Sequence, residues 1–133
     1  MKKIEFRGWD KKYKVMFGGE YYNPDEYFFE FDGLGNIKAE AFDAKEGDDI
    51  VRNVDCILMQ YTGLKDKKGV EIYECDVIKF GGEVCFVVFE NGRFLLKGDT
   101  RSYAMWSHIN DKKVNNGIEI IGNIYENPEL IKK

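Results

Sequence analysis

The chain has 133 residues, 44% of them apolar and 33% charged, with 20 basic and 24 acidic side chains, one histidine and a net charge of −4. This length fits one domain with a core of its own, and the composition excludes a disordered chain. No apolar run approaches the roughly 18 residues of a membrane-spanning helix, and an acidic whole works against general nucleic-acid binding.

The N-terminus, "MKKIEFRGWDKKYK" (1–14), has the lysine pair of a signal peptide but no apolar stretch behind it. A cytoplasmic protein with no membrane partner is therefore expected. These fourteen residues carry six bases against Glu5 and Asp10, a local +4, whereas residues 20–55 carry eleven acids against three bases, a local −8. The rest of the chain balances. The bland meaning of this asymmetry is a solvated surface; the sharper one is that a basic arm meets an acidic face, within a chain or between copies. The candidate interaction residues are Phe6, Trp9 and Tyr13 with Lys11, Lys12 and Lys14. The aromatic-rich "GGEYYNPDEYFFEF" (18–31) adds to the same idea, with burial in the core as its plain alternative.

Two prolines, many β-branched residues and 15% aromatics favour strands over helices. "YFFEF" (27–31) reads as a strand and "DGLGN" (32–36) as a hairpin turn. "IKAEAF" (37–42) alternates like the returning strand, yet "KAEAFDAKE" reads equally as a short helix, and both readings stay open. "EGDD" (46–49) closes the acidic segment. Beyond it come the apolar strand "VDCILMQY" (54–61), the polar loop "GLKDKKGVE" (63–71), the strand "CDVIKF" (75–80) and the tight turn "GGE" (81–83). "VCFVVFE" (84–90) is apolar on both faces, which places it centrally. Asn91-Gly92, between "VVFE" and "RFLLK", predicts a type I′ hairpin turn over residues 84–97, because both residues tolerate positive φ. After a wandering stretch with room for one helical turn, "IEIIGNI" (118–124) is a last strand, with Ile118, Ile120, Gly122 and Ile124 on one face. Asn127 and Pro128 then start a turn or two of helix.

These elements predict a mostly β fold: a single domain over residues 1–133, with residues 1–53 an N-terminal β extension or layer. Residues 54–133 form a small five-stranded unit, SH3-like, barrel-like or a compact sandwich, ending in a short helical turn.

Two longer stretches, "QYTGLKDKKGVEIYECDVIKF" (60–80) and "IGNIYENPELI" (121–131), together with "FRGWD" (6–10), resemble the YopX protein family of phages and prophages. The resemblance runs from Phe6 to Ile131. It implies a phage-derived, mostly β, cytoplasmic protein and no particular reaction. In the family a glycine usually stands between the acidic pair that is Glu74 and Asp76 here, where this chain has Cys75. If that position needs positive φ, the cysteine is strained there or the turn differs. Within the motif, Gly63, Asp66 and Gly69 shape a polar loop, and Glu74 and Asp76 stand ready to bond turn backbone. The stretch reads first as a way of starting a strand and second as a ligand loop.

An enzyme needs a convergent set of reactive groups. The single histidine, His108, adjoins Ser107 in "MWSHIN" without a predicted partner, and reads as a packed or surface residue. "DAKEGDD" (43–49) lacks the ligand spacing of a calcium loop, "GLGN" the context of a dinucleotide site, and no phosphate-binding Gly-Lys-Ser/Thr occurs. Cys56, Cys75 and Cys85 form no Cys-x-x-Cys, and read as reduced, small hydrophobes. The expectation is a non-enzyme with no catalytic residue, cofactor or metal, acting by self-association or contact with another phage or host protein. Weak nucleic-acid binding through aromatics (Trp9, Tyr13, Tyr21, Tyr22, Trp106) and lysines at 11–14, 65–68 and 112–113 is the rival, and an enzyme with a carboxylate site a distant third.

Overall fold

The protein is seen here as a computed structural model that describes residues 5–19, 21, 27–31, 33–34, 36–42, 51–98, 102–104 and 117–131. Among them, all regular structure is β-strand apart from one 3-10 turn, so the mostly β expectation holds. The chain divides into two compact units, Glu5–Met59 and the part from Gln60 onward. The division falls inside one strand, later than the 53/54 boundary expected from the strand pattern.

The first unit opens with a hairpin of β1 (Phe6–Asp10) and β2 (Val15–Gly18), closed by residues 11–14, with Lys14 at φ 56°. It continues with β3 (Tyr27–Phe31), β4 (Ile37–Phe42) and β5 (Val51–Val54), an antiparallel sheet in that order. The strand-or-helix question over 37–42 is thus settled as strand: Ile37 pairs with Phe31 and Phe42 with Val51. Two-residue alternation puts Tyr27, Phe29, Ala39, Ala41, Arg52 and Val54 on one face of this sheet. Phe17 lies against that face, stacked on Tyr27 with ring centres 4.3 Å apart and on Phe29 at 5.4 Å. Phe17, Ala39, Ala41 and Val54 form the unit's buried core, with Tyr27, Phe29 and Cys56 around it.

Gly8 stands directly opposite Phe17 in the β1–β2 pairing. A Cβ there would come within 2.4 Å of the ring, which gives "FRGWD" its glycine a steric cause. Asp55 separates β5 from β6 (Cys56–Lys65), so the apolar run predicted as one strand from Val54 is two. Strand β6 is the neighbour of β1 in the sheet order β2–β1–β6.

In the second unit, the rest of β6 pairs with β7 (Glu71–Tyr73). A five-stranded antiparallel sheet follows, in the order β11 (Ser102–Ala104), β10 (Arg93–Lys97), β9 (Glu83–Glu90), β8 (Asp76–Phe80), β12 (Ile118–Asn123). The strand "VCFVVFE" is indeed central. The residue 84–97 hairpin forms as expected: Glu90 pairs with Arg93, and Asn91 and Gly92 sit at φ 53° and 77°. The fifth strand of this sheet is β11, not the strand at 54–61, which pairs elsewhere. One face carries the core, Ile78, Cys85, Val87, Leu96 and Ile118, closed by Ile72 of β7. About 1.5–3 kcal/mol accrues for each such side chain withdrawn from water.

Strand β12 departs from simple alternation. Ile120 pairs with Ile78 but Gly122 pairs with Val77, so Ile121 is the extra residue of a bulge, and Gly122 leaves the face of Ile118 and Ile120. The helical turn expected at the end is a single 3-10 turn, Pro128–Leu130, with Pro128 at its first position. Asn127 does not cap it through its side chain. Its Oδ1 instead accepts from the Asn123 amide at 3.2 Å, and a Cβ on Gly122 would meet that oxygen at 2.5 Å. Asn123 Oδ1 in turn accepts from the amides of Tyr125 and Glu126. The second motif stretch is therefore a knot of side-chain-to-backbone bonds.

Candidate interaction surface and motif loop

The motif loop is built around Asp66, which is 6% exposed. Its Oδ1 accepts from the amides of Lys68 and Val70, both at 2.9 Å, and its Oδ2 from the amide of Ile120 on β12 at 3.1 Å. The Lys67 amide donates to Ile118 O at 2.9 Å. Gly63 and Gly69 adopt φ 87° and 82° with open space where a Cβ would sit, so backbone shape and not crowding selects them. Glu119 meets the ammonium groups of Lys67 and Lys68, at 3.1 and 2.9 Å, which lowers its pKa and raises that of Lys68.

The β7–β8 turn uses the other two motif carboxylates. Glu74 Oε1 accepts from the Gln60 amide at 2.9 Å, and buried Asp76 Oδ2 from the Tyr73 amide at 2.8 Å. Cys75 between them holds φ 71°, the conformation a glycine would take there without strain. Its amide donates to Val87 O and its carbonyl accepts from the Ile124 amide, at 2.8 and 3.0 Å. Burial, the adjacent Cys75 thiol and the Glu74 carboxylate push the Tyr125 phenol up to about 12. The motif acids are thus engaged by backbone donors, and their chemistry is that of fastening. Hydrogen bonds to a charged acceptor contribute about 1.5–3 kcal/mol each.

The six candidate interaction residues all lie in the β1–β2 hairpin. Lys11, Lys12 and Lys14 are exposed at its turn; Phe6, Trp9 and Tyr13 are half-buried. Phe6 packs edge-on to Phe31 at 6.4 Å. Tyr13 has the Lys12 ammonium 5.1 Å and the Arg52 guanidinium 4.7 Å from its ring centre. Two members of the basic arm do not behave as surface charges. Arg7 is 1% exposed, its Nε donating to Met59 Sδ at 3.4 Å. Asp10, fully buried, accepts from the Lys12 and Tyr13 amides through Oδ1, and from the Tyr27 hydroxyl and Arg52 through Oδ2. Burial pushes the Asp10 carboxyl up, but the bonds from Arg52, Tyr27 and the two amides outweigh it and hold the pKa below the usual aspartate value. The arm's strongest ion pair therefore runs opposite in sense to its net charge, acid on the arm and base on the acidic segment. Lys11 pairs in the expected sense with Asp55 at 3.4 Å. Burial, with Asp10 and Asp55 nearby, pushes the Cys56 thiol up.

A further surface lies on the other face of the β3–β4–β5 sheet. Phe28, Phe42 and Val51 are 37%, 45% and 44% exposed. Phe42 and Val51 are cross-strand partners, and the rings of Phe28 and Phe42 are 6.0 Å apart. Beside them Lys38 bridges Glu30 and Glu40 at 3.2 Å each. Phe28 falls in the aromatic stretch that sequence reasoning singled out. Phe42 and Val51 were missed, because the first sat in the strand-or-helix ambiguity and the second before the predicted strand.

Trp106, Ser107, His108, Tyr22, the lysines at 112–113 and the 43–49 acidic stretch lie outside the described residues. Among the described residues no group of three or more His, Cys, Asp or Glu side chains is placed to hold a metal ion. Nor is any described helix long and apolar enough to cross a membrane.

A family model described as "YopX protein" matches residues 5–132. No curated protein matches the chain. Among solved structures, the crystal structure of protein EF1440 from Enterococcus faecalis is similar, with a TM-score of 0.64, 23% identity, and coverage of 99% of this chain and 100% of that one. At this identity the likeness speaks for the fold alone.

Proposed function

The chain belongs to the YopX protein family, and from that premise we propose that it is a non-catalytic interaction module that assembles with copies of itself. Its setting is the cytoplasm of a bacterial host, in the phage or prophage context that the family resemblance implies. The observation that carries this reading is the exposed trio Phe28, Phe42 and Val51 on one sheet face, in the same unit as an exposed lysine turn. Single exposed apolar residues are ordinary on a protein surface, whereas a contiguous group marks a contact site. The motif carboxylates support a non-enzyme, since Asp66, Glu74 and Asp76 are committed to backbone amides. Exposed ion pairs contribute only about 0.2–1 kcal/mol each, so the lysines steer encounter and apolar burial supplies affinity.

Light scattering on a sizing column, over a wide concentration range at low and high salt, tests this reading. The expected mass rises with concentration and falls with salt; a mass that stays at one chain at high concentration and low salt disposes of it. Nucleic-acid binding is the second reading, favoured by Lys11, Lys12, Lys14 and Tyr13 clustering at one turn. Salt-sensitive retention of a labelled oligonucleotide, lost on replacing Lys12 and Lys14, would establish it.

A further inference from the structure

Resting on the self-assembly reading, we infer a head-to-tail geometry for it: the β1–β2 turn of one copy seats on the outer β3–β4–β5 face of the next. The two surfaces differ in sign. The turn presents Lys12 and Lys14 beside Tyr13; the face presents Phe28, Phe42 and Val51 beside Glu30, Lys38 and Glu40, a cluster with one net negative charge. A face meeting its own copy would bring together two surfaces of net charge −1, and a turn meeting a turn would oppose lysine to lysine. A turn on a face brings unlike charges together, with an aromatic ring to set against the apolar trio.

The register of the strands explains why a chain cannot satisfy its own face in this way. Tyr27 and Arg52, which bind Asp10 at the base of the turn, point to one side of the β3–β4–β5 sheet. Phe28, Phe42 and Val51 occupy the intervening positions and point to the other. The turn is tied to the side away from the exposed trio, so the lysines that reach the trio belong to another copy. Because the contact joins two different surfaces, each added copy leaves one turn and one face open, and growth continues into a ring or a filament instead of stopping at a dimer.

The test uses two variants of the full chain. One carries Lys12→Glu and Lys14→Asp, aspartate being tolerated at positive φ; the other carries Phe28→Thr and Phe42→Thr on the exposed face. Circular dichroism melts confirm that each is folded, and the single changes Lys12→Glu and Phe42→Thr replace any pair that is not. Wild type is expected to form species larger than a dimer. Each variant alone is expected to associate more weakly by about tenfold or more, whereas an equimolar mixture recovers a complex of two chains and nothing larger, since the intact turn of one meets the intact face of the other. A mixture that stays monomeric while wild type assembles overturns this geometry and leaves self-assembly standing. A variant that assembles like wild type overturns it too. A wild type that never assembles overturns both readings.

Discussion

The backbone at Cys75 offers a test whose outcome turns on a sign. At ordinary strand or helix positions, glycine is less stable than alanine by about 0.5–1 kcal/mol, because the unfolded chain gains freedom. Cys75 sits at φ 71°, where any side chain meets its own carbonyl at a cost of about 1–2 kcal/mol. Subtracting the middle of the glycine entropy range from the middle of the relieved strain leaves Cys75→Gly more stable than Cys75→Ala by about 0.75 kcal/mol. Both variants lack the thiol beside Tyr125, so the loss of that neighbour cancels between them. A β-branched Cys75→Val should fall below both. Urea unfolding followed by tryptophan fluorescence, with equal slopes required across the series, gives the differences directly. An alanine variant as stable as the glycine variant would show that the turn does not hold the left-handed conformation, and with it the account of the motif's departure would fail.

Gly8→Ala is expected to cost about 1–3 kcal/mol by overpacking, since the buried Phe17 ring, already stacked on Tyr27 and Phe29, must shift to admit the methyl; thermal melting measures it. Asp66→Ala orphans three amides and should cost about 2–4 kcal/mol, with hydrogen exchange at Ile120 speeding up as the local signature. For Asp10 the folded pKa lies below the unfolded one, so its stabilisation is complete above the ordinary aspartate value of about 3.9 and fades as pH falls below that through the folded pKa. Asp10→Asn should lower stability by about 2 kcal/mol at neutral pH and flatten this acid decline, both visible in unfolding curves taken from pH 7 to pH 2.

Local signals in the chain were legible wherever one residue type has one conformational reason. Asn91-Gly92 named its turn because few other pairs accept two positive φ values, and "VCFVVFE" announced a central strand by being apolar on both faces. The presence of Glu74 and Asp76 around a turn suggested backbone bonding, and both make such bonds. What stayed hidden depends on residues far apart in the chain. Arg7 and Asp10 counted as surface charges until Met59, Tyr27 and Arg52 were placed beside them. The outer β3–β4–β5 face was invisible for a related reason, since three short strands with weak alternation become one surface only after pairing. Pairing likewise decides that β11, and not the run at 54–61, completes the five-stranded sheet.

The bond from the Ile120 amide to Asp66 spans 54 positions of sequence and so sets a clock on the chain's birth. At synthesis rates of about 5–20 residues per second, Asp66 is made some 3–11 s before its partner. During that interval β8 has β9 on one side and nothing on the side that β12 will occupy, so "DVIKF" presents an open edge to other nascent chains. Its two charged residues, Asp76 at the first position and Lys79 at the last but one, are the guards the strand carries through that wait.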